Sequence, residues 1–217
     1  MPNKNYTEKL WFPVRVWEFT SSSHLLRNSL FSAEKEEYRA YNLDGGVGTS
    51  YPHLEQRPMW TELKMWIEQC ANEILKDNKF LAERMEITSM WANRANKQTG
   101  HHHTPHRHPM SYWSCVYYLT GGTPTTFIDP LAQREWAQLH LDGGPYSETR
   151  YNYRPDPGTL LIFPSYLMHG SQPNDRMADR FTVSANLFPF GNQNLGAWDV
   201  PMTVSYTHLT LPTNTVV

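Results

Sequence analysis

The chain has 217 residues, which suits one domain with a full core and leaves little room for a second. A formal charge of -2 excludes the basic footprint expected of a partner for nucleic acid or an anionic membrane surface. Charged residues at 18% and aromatics at 13% exclude a disordered chain, and the distant Cys70 and Cys115 exclude a disulfide framework.

The polar start MPNKNYTEKLWF does not read as a signal peptide, and no apolar run has transmembrane length, so a cytoplasmic protein is expected. Residues 11–19, WFPVRVWEF, alternate Val14, Val16 and Glu18 against Arg15 and Trp17, the pattern of a short strand. From Pro58 to Lys76 apolar residues recur at Met59, Leu63, Trp66, Ile67, Cys70, Ile74 and Leu75. That spacing predicts an amphipathic helix with Pro58 in its first turn. From Met85 onwards the pattern changes to short apolar runs separated by Gly/Pro turns: EITSMWAN, YWSCVYYL, TFIDP, LLIF and RFTVSANLF. Many short strands of this kind predict a mainly β fold, a double-stranded β-helix (jelly roll) with a supporting N-terminal amphipathic helix. The last segment, 204–217 (VSYTHLTLPTNTVV), carries no charge and resembles a translated sequencing-adapter read-through of the kind found in metagenomic assemblies. It is expected to be non-native, which leaves 1–203 as a single domain with a catalytic β-core over about 86–190 and removes His208 from the candidate ligands.

Five of the ten histidines lie in GHHHTPHRHP, residues 100–109. Such a cluster fits a solvated loop. It also fits a metal site, because in an extended segment His106 and His108 share one face and can grip a single ion. The strand-like YWSCVYYL that follows would anchor the pair, whereas His101, His102 and His103 read as exposed loop. His169 follows the apolar LLIFPSYLM, where a lone histidine is either a satisfied rim residue or a ligand. Arg180 opens the apolar run RFTVSANLF, and a buried arginine there demands an anionic partner. The alternatives are an edge arginine paired with Asp175 or Asp179 and a guanidinium fork that binds a ligand carboxylate. Two close ligands, one distant ligand and a trailing arginine are what a non-haem iron oxygenase of the 2-oxoglutarate type needs.

The blocks HRHP, SYWSCVYYL, GGTPTTF, DPGTLLIFPSYLMHGSQPN and RFTVSANLF together resemble the Fe(II)/2-oxoglutarate-dependent dioxygenase superfamily. They look most similar to a group of oxygenases of marine bacteria and phages with an HxHP motif, and more loosely to the prolyl hydroxylases. The resemblance implies that His106 and His169 are iron ligands and that His108 occupies the position where the superfamily usually has Asp or Glu. Asp129 of TFIDP is the competing third ligand. Arg180 matches the main salt-bridge partner of the 2-oxoglutarate distal carboxylate, with Tyr118 and Thr182 as helpers.

What the resemblance implies for function is an Fe(II) enzyme that couples O2 and 2-oxoglutarate to hydroxylation of a small-molecule or peptidyl substrate, releasing succinate and CO2. Loops such as 129–153 would shape the substrate pocket. Two other classes are compatible with the histidines: a cupin-like metal- or sugar-binding jelly roll, and a degenerate oxygenase fold used as a structural module. The cupin-like reading has no use for a buried Arg180.

Overall fold

The computed structural model describes residues 14–40, 46–131 and 149–191. In chain order the elements are β1 (Trp17–Thr20), α1 (Ser23–Glu34), β2 (Arg39–Ala40), β3 (Gly48–Thr49), α2 (Thr61–Asp77) and β4 (Arg84–Ala95). The second half adds β5 (Trp113–Tyr118), β6 (Thr125–Ile128), β7 (Arg150–Tyr153), β8 (Thr159–Pro164), β9 (His169–Ser171) and β10 (Arg180–Phe190). A seven-stranded sheet runs β1-β8-β5-β10-β4-β3-β2 and a three-stranded sheet runs β7-β6-β9. The pairs are antiparallel, and the two sheets form a double-stranded β-helix.

Period-two alternation divides the large sheet into two environments. Cys115 and Tyr117 of β5, Leu160 and Ile162 of β8, and Phe181, Val183, Ala185 and Leu187 of β10 join one core with α2. Their neighbours Val116, Tyr118, Leu161 and Phe163 face the other way and meet Phe127 of β6 and Leu167 in a second core between the sheets. Arg180, Thr182, Ser184 and Asn186 share that inward face, so β10 presents a polar row to the interior. β10 is central, covered on both faces, which is why nearly all of it is buried.

Helix α2 exists because Leu63, Ile67, Cys70, Ala71, Ile74 and Leu75 make one buried stripe. Each large member contributes roughly 1.5–3 kcal/mol by leaving water, so Ile67→Ala is the single change that most directly loosens the helix, at about 2–5 kcal/mol. The helix starts later than its sequence pattern suggests. Pro58–Trp60 form a separate 3-10 turn, and Met59 is 45% exposed.

The first strand differs from its expected form. Residues 11–13 lie outside the described residues, and Val14 and Val16 are exposed. The strand begins at Trp17, with Trp17 and Phe19 packed on the helix-side core. The reason is register: Trp17 pairs with Ile162 and Phe19 with Leu160, so the aromatics, rather than the valines, lie on the face that α2 covers. Helix α1 has no counterpart among the expected elements. Ser22 caps it by accepting from the Leu25 N–H at 3.2 Å, and its buried face includes Ser29, Ser32 and Ala33, too small and polar to read as an apolar stripe. The expected read-through tail at 204–217 lies outside the described residues, as do residues 132–148 of the expected pocket loops.

Candidate metal centre

His106 and His108 sit in the segment between β4 and β5, each next to a proline. Pro105 and Pro109 push the preceding Thr104 and His108 away from helical backbone, so the HRH triplet stays extended and Arg107 points out to solvent. His169 opens β9, in the small sheet. The two ligand-bearing segments are joined directly: the His106 N–H donates to the His169 carbonyl at 2.9 Å and the His169 N–H donates back at 3.0 Å. Gly170 permits this close approach, since a Cβ there would lie 2.6 Å from the His103 carbonyl oxygen.

The three imidazoles converge, with ring centroids 4.6 Å apart for His106 and His169, and 5.1 Å for each other pair. One ring nitrogen from each lies within 4.8 Å of the others. The opposite nitrogens are all engaged. Nδ1 of His106 meets the Thr104 carbonyl at 2.8 Å, Nδ1 of His169 meets the Leu167 carbonyl at 2.9 Å, and Nδ1 of His108 meets Asn186 Oδ1 at 2.8 Å. These partners are acceptors, so each Nδ1 carries the proton and each Nε2 offers a lone pair. The Asn186 amide is itself oriented by donating to Ser89 Oγ at 3.1 Å, where a bulge at Asn186/Leu187 bends β10. Burial, reinforced by neighbouring His106, holds His169 down to about 3 and His108 down to about 4, so both are neutral and ready to ligate near pH 7. A three-imidazole donor set of fixed tautomer fits Fe(II) chemically.

The centre faces a cavity of about 300 Å³ between the sheets. Arg180 also lines it and is only 5% exposed, and its Nε has no hydrogen-bond partner among the described residues. Burial lowers the Arg180 pKa, with Tyr118 opposing, and no carboxylate appears in the described lining. The edge-exposed alternative does not hold: Asp179 instead pairs with Arg94 at 2.6 Å. A buried guanidinium with its Nε unpartnered among the described residues fits an anionic ligand.

Several expected placements change. Arg180 faces inward from β10, and His169 lies on β9 in the opposite sheet, because the chain crosses over between them. Thr182 lines the cavity beside Arg180, whereas Tyr118 stands behind it, its hydroxyl donating to Thr125 Oγ1 at 2.7 Å. Thr125 is the group presented to the cavity. Asp129 ends β6 in a turn, with Oδ1 accepting from the Leu131 N–H at 2.8 Å, and is not part of the ligand cluster. His101, His102 and His103 are half-buried, not solvent-exposed, because this segment lies along β9 and touches Gly46. Trp91 also lines the cavity and stacks on His108 at 5.6 Å and 21°. Its signal was the β4 alternation, which sends Met90 and Ala92 to the helix side and Trp91 and Asn93 inward.

Converging imidazoles and a buried arginine line one cavity of the jelly roll, an arrangement suited to a metal ion and an anionic ligand. Residues 89–186, a segment that holds all three histidines and Arg180, match the family described as "Putative 2OG-Fe(II) oxygenase". The chain's fold is similar to a Pseudomonas putida prolyl-4-hydroxylase, at 14% identity and TM-score 0.59, over 82% of this chain and 94% of that one. It is also similar to HygX of Streptomyces hygroscopicus, solved with nickel, 2-oxoglutarate and hygromycin B bound, at 14% identity and TM-score 0.55, over 81% and 83% of the two chains. A 2OG-Fe(II) oxygenase-family oxidoreductase of Burkholderia pseudomallei gives 11% identity and TM-score 0.56, over 79% and 84%. No curated protein matches in sequence. No described helix is long and apolar enough to cross a membrane.

Proposed function

We propose that His106, His108 and His169 hold the iron, that Arg180 and Thr182 hold the distal carboxylate of 2-oxoglutarate, and that residues 1–203 act as one hydroxylase unit on a small-molecule or peptidyl substrate. The observation that carries this reading is the shared cavity, whose lining joins three converging imidazoles with threonine hydroxyls and a buried guanidinium whose Nε is unpartnered among the described residues. Iron would supply O2 activation coupled to decarboxylation of 2-oxoglutarate, giving succinate, CO2 and a hydroxylated product.

The chain's own groups orient and shield. Thr104, Leu167 and Asn186 fix the ring tautomers. Phe163 packs edge-on against His169 at 4.7 Å and Phe127 lies 6.0 Å away, keeping water from the buried ligand. Arg180 offers two parallel N–H donors to a carboxylate, and Thr182 and Thr125 offer hydroxyls nearby. Tyr118 acts through Thr125, whose hydroxyl it aligns. Anaerobic addition of Fe(II) and then 2-oxoglutarate should produce a weak visible charge-transfer band. Iron binding without that band would remove the co-substrate role and leave the cupin-like reading.

A further inference from the structure

His103 is the fourth imidazole on the cavity wall, and the proposed iron and co-substrate roles make no use of it. Its backbone is pinned to β9: the His103 N–H donates to Ser171 Oγ at 2.9 Å, and its carbonyl accepts from the Ser171 N–H at 3.0 Å. The ring is therefore positioned by the small sheet, whereas Arg180 projects from the large sheet across the same cavity. Its centroid lies 6.0 Å from that of His106, yet it stands outside the group of converging ligand atoms. The described lining offers no carboxylate to receive its N–H.

We propose that the His103 imidazole donates a hydrogen bond to the distal carboxylate of 2-oxoglutarate, gripping from the small sheet the group that Arg180 grips from the large one. This rests on the co-substrate role given to Arg180 above. A neutral imidazole always keeps one N–H, and a bond from it to a carboxylate is charge-assisted. Two donors on opposite sheets would also fix the length of the acid that fits between Arg180 and the metal ligands.

The test is calorimetric titration of the anaerobic, Fe(II)-loaded protein with 2-oxoglutarate and with 2-oxobutyrate, which lacks the distal carboxylate. His103→Ala should raise the 2-oxoglutarate Kd about tenfold or more. It should leave the 2-oxobutyrate Kd and the iron stoichiometry unchanged. His103→Gln keeps an N–H donor and should recover part of the loss. An unchanged 2-oxoglutarate Kd in His103→Ala, equal weakening of both acids, or loss of iron would each overturn the assignment. If the unsubstituted protein binds iron but not 2-oxoglutarate, the co-substrate reading falls, and this one with it.

Discussion

Replacing Arg180 with methionine should move two observables in opposite directions. In the ligand-free protein the guanidinium is 5% exposed, with Nε unpartnered among the described residues, so it costs stability. Methionine keeps the unbranched stem and removes the charge. Exchanges of buried charge for apolar volume are neutral or stabilising by about 1–4 kcal/mol. At about 2–4 °C per kcal/mol for a chain of this size, the free Arg180→Met protein should melt as high as the parent or several degrees higher. Binding should show the reverse. A fork making two charge-assisted bonds contributes at least about 3 kcal/mol, so 2-oxoglutarate should bind roughly 100-fold more weakly. With 2-oxoglutarate at 100 times the parent Kd, the iron-loaded parent gains about 2.7 kcal/mol, whereas the variant gains about 0.4 kcal/mol. Differential scanning calorimetry with and without the acid reads both effects. A free variant that melts lower while keeping the full ligand-induced shift would refute the reasoning and make Arg180 a structural residue.

Iron content separates the ligand assignments: His108→Asp should retain Fe(II) as a hard anionic donor, His108→Ala should bind it weakly, and Asp129→Ala should be silent because Asp129 only caps its own turn. Iron retained in His108→Ala but lost in Asp129→Ala would reverse the assignment. Asn186→Leu should lower iron affinity about 10–100-fold by freeing the His108 ring, with the circular dichroism of the sheet unchanged; unaltered affinity would deny Asn186 that role. His103, His108 and His169 are all held at about 3 to 4, below the ordinary value near 6.5 that they regain on unfolding. Protons therefore favour the unfolded chain, and stability complete above about 6.5 should be lost as pH falls from there towards 4. Urea titrations of the iron-free protein at pH 7 and pH 5 check this, and equal midpoints would contradict it.

Much of the centre was legible because its logic is local. The prolines around His106-Arg107-His108 dictate extended backbone, and extended backbone puts both rings on one face. The alternation in RFTVSANLF likewise sends Arg180 and Thr182 to one side and Phe181 and Val183 to the other. What the sequence hid is what depends on packing between sheets. LLIFPSYLMHG reads as one strand with a histidine at its end, but the chain leaves the large sheet after Pro164 and enters the small one at His169. His103 looked like exposed loop because nothing nearby in sequence announces that β9 will cover it. Tyr118 illustrates the opposite error. Its hydroxyl was expected at the ligand, and only the packing shows Thr125 standing in between. Helix α1 escaped because its buried face, Leu25, Ser29, Ser32 and Ala33, holds one large apolar residue among small and polar ones.

The mutual N–H···O=C bonds between His106 and His169 set two corners of the centre in main chain, where side-chain replacement cannot move them. His108 is attached differently: one side-chain bond to Asn186 and a longer backbone bond to the Ser165 carbonyl at 3.3 Å. The centre is thus a rigid hinge plate with one interchangeable fitting. Exchanging that fitting for a carboxylate, an amide or a vacancy leaves the plate undisturbed, so the electronic character of the bound metal can drift by single codon changes while the scaffold that holds the co-substrate stays put.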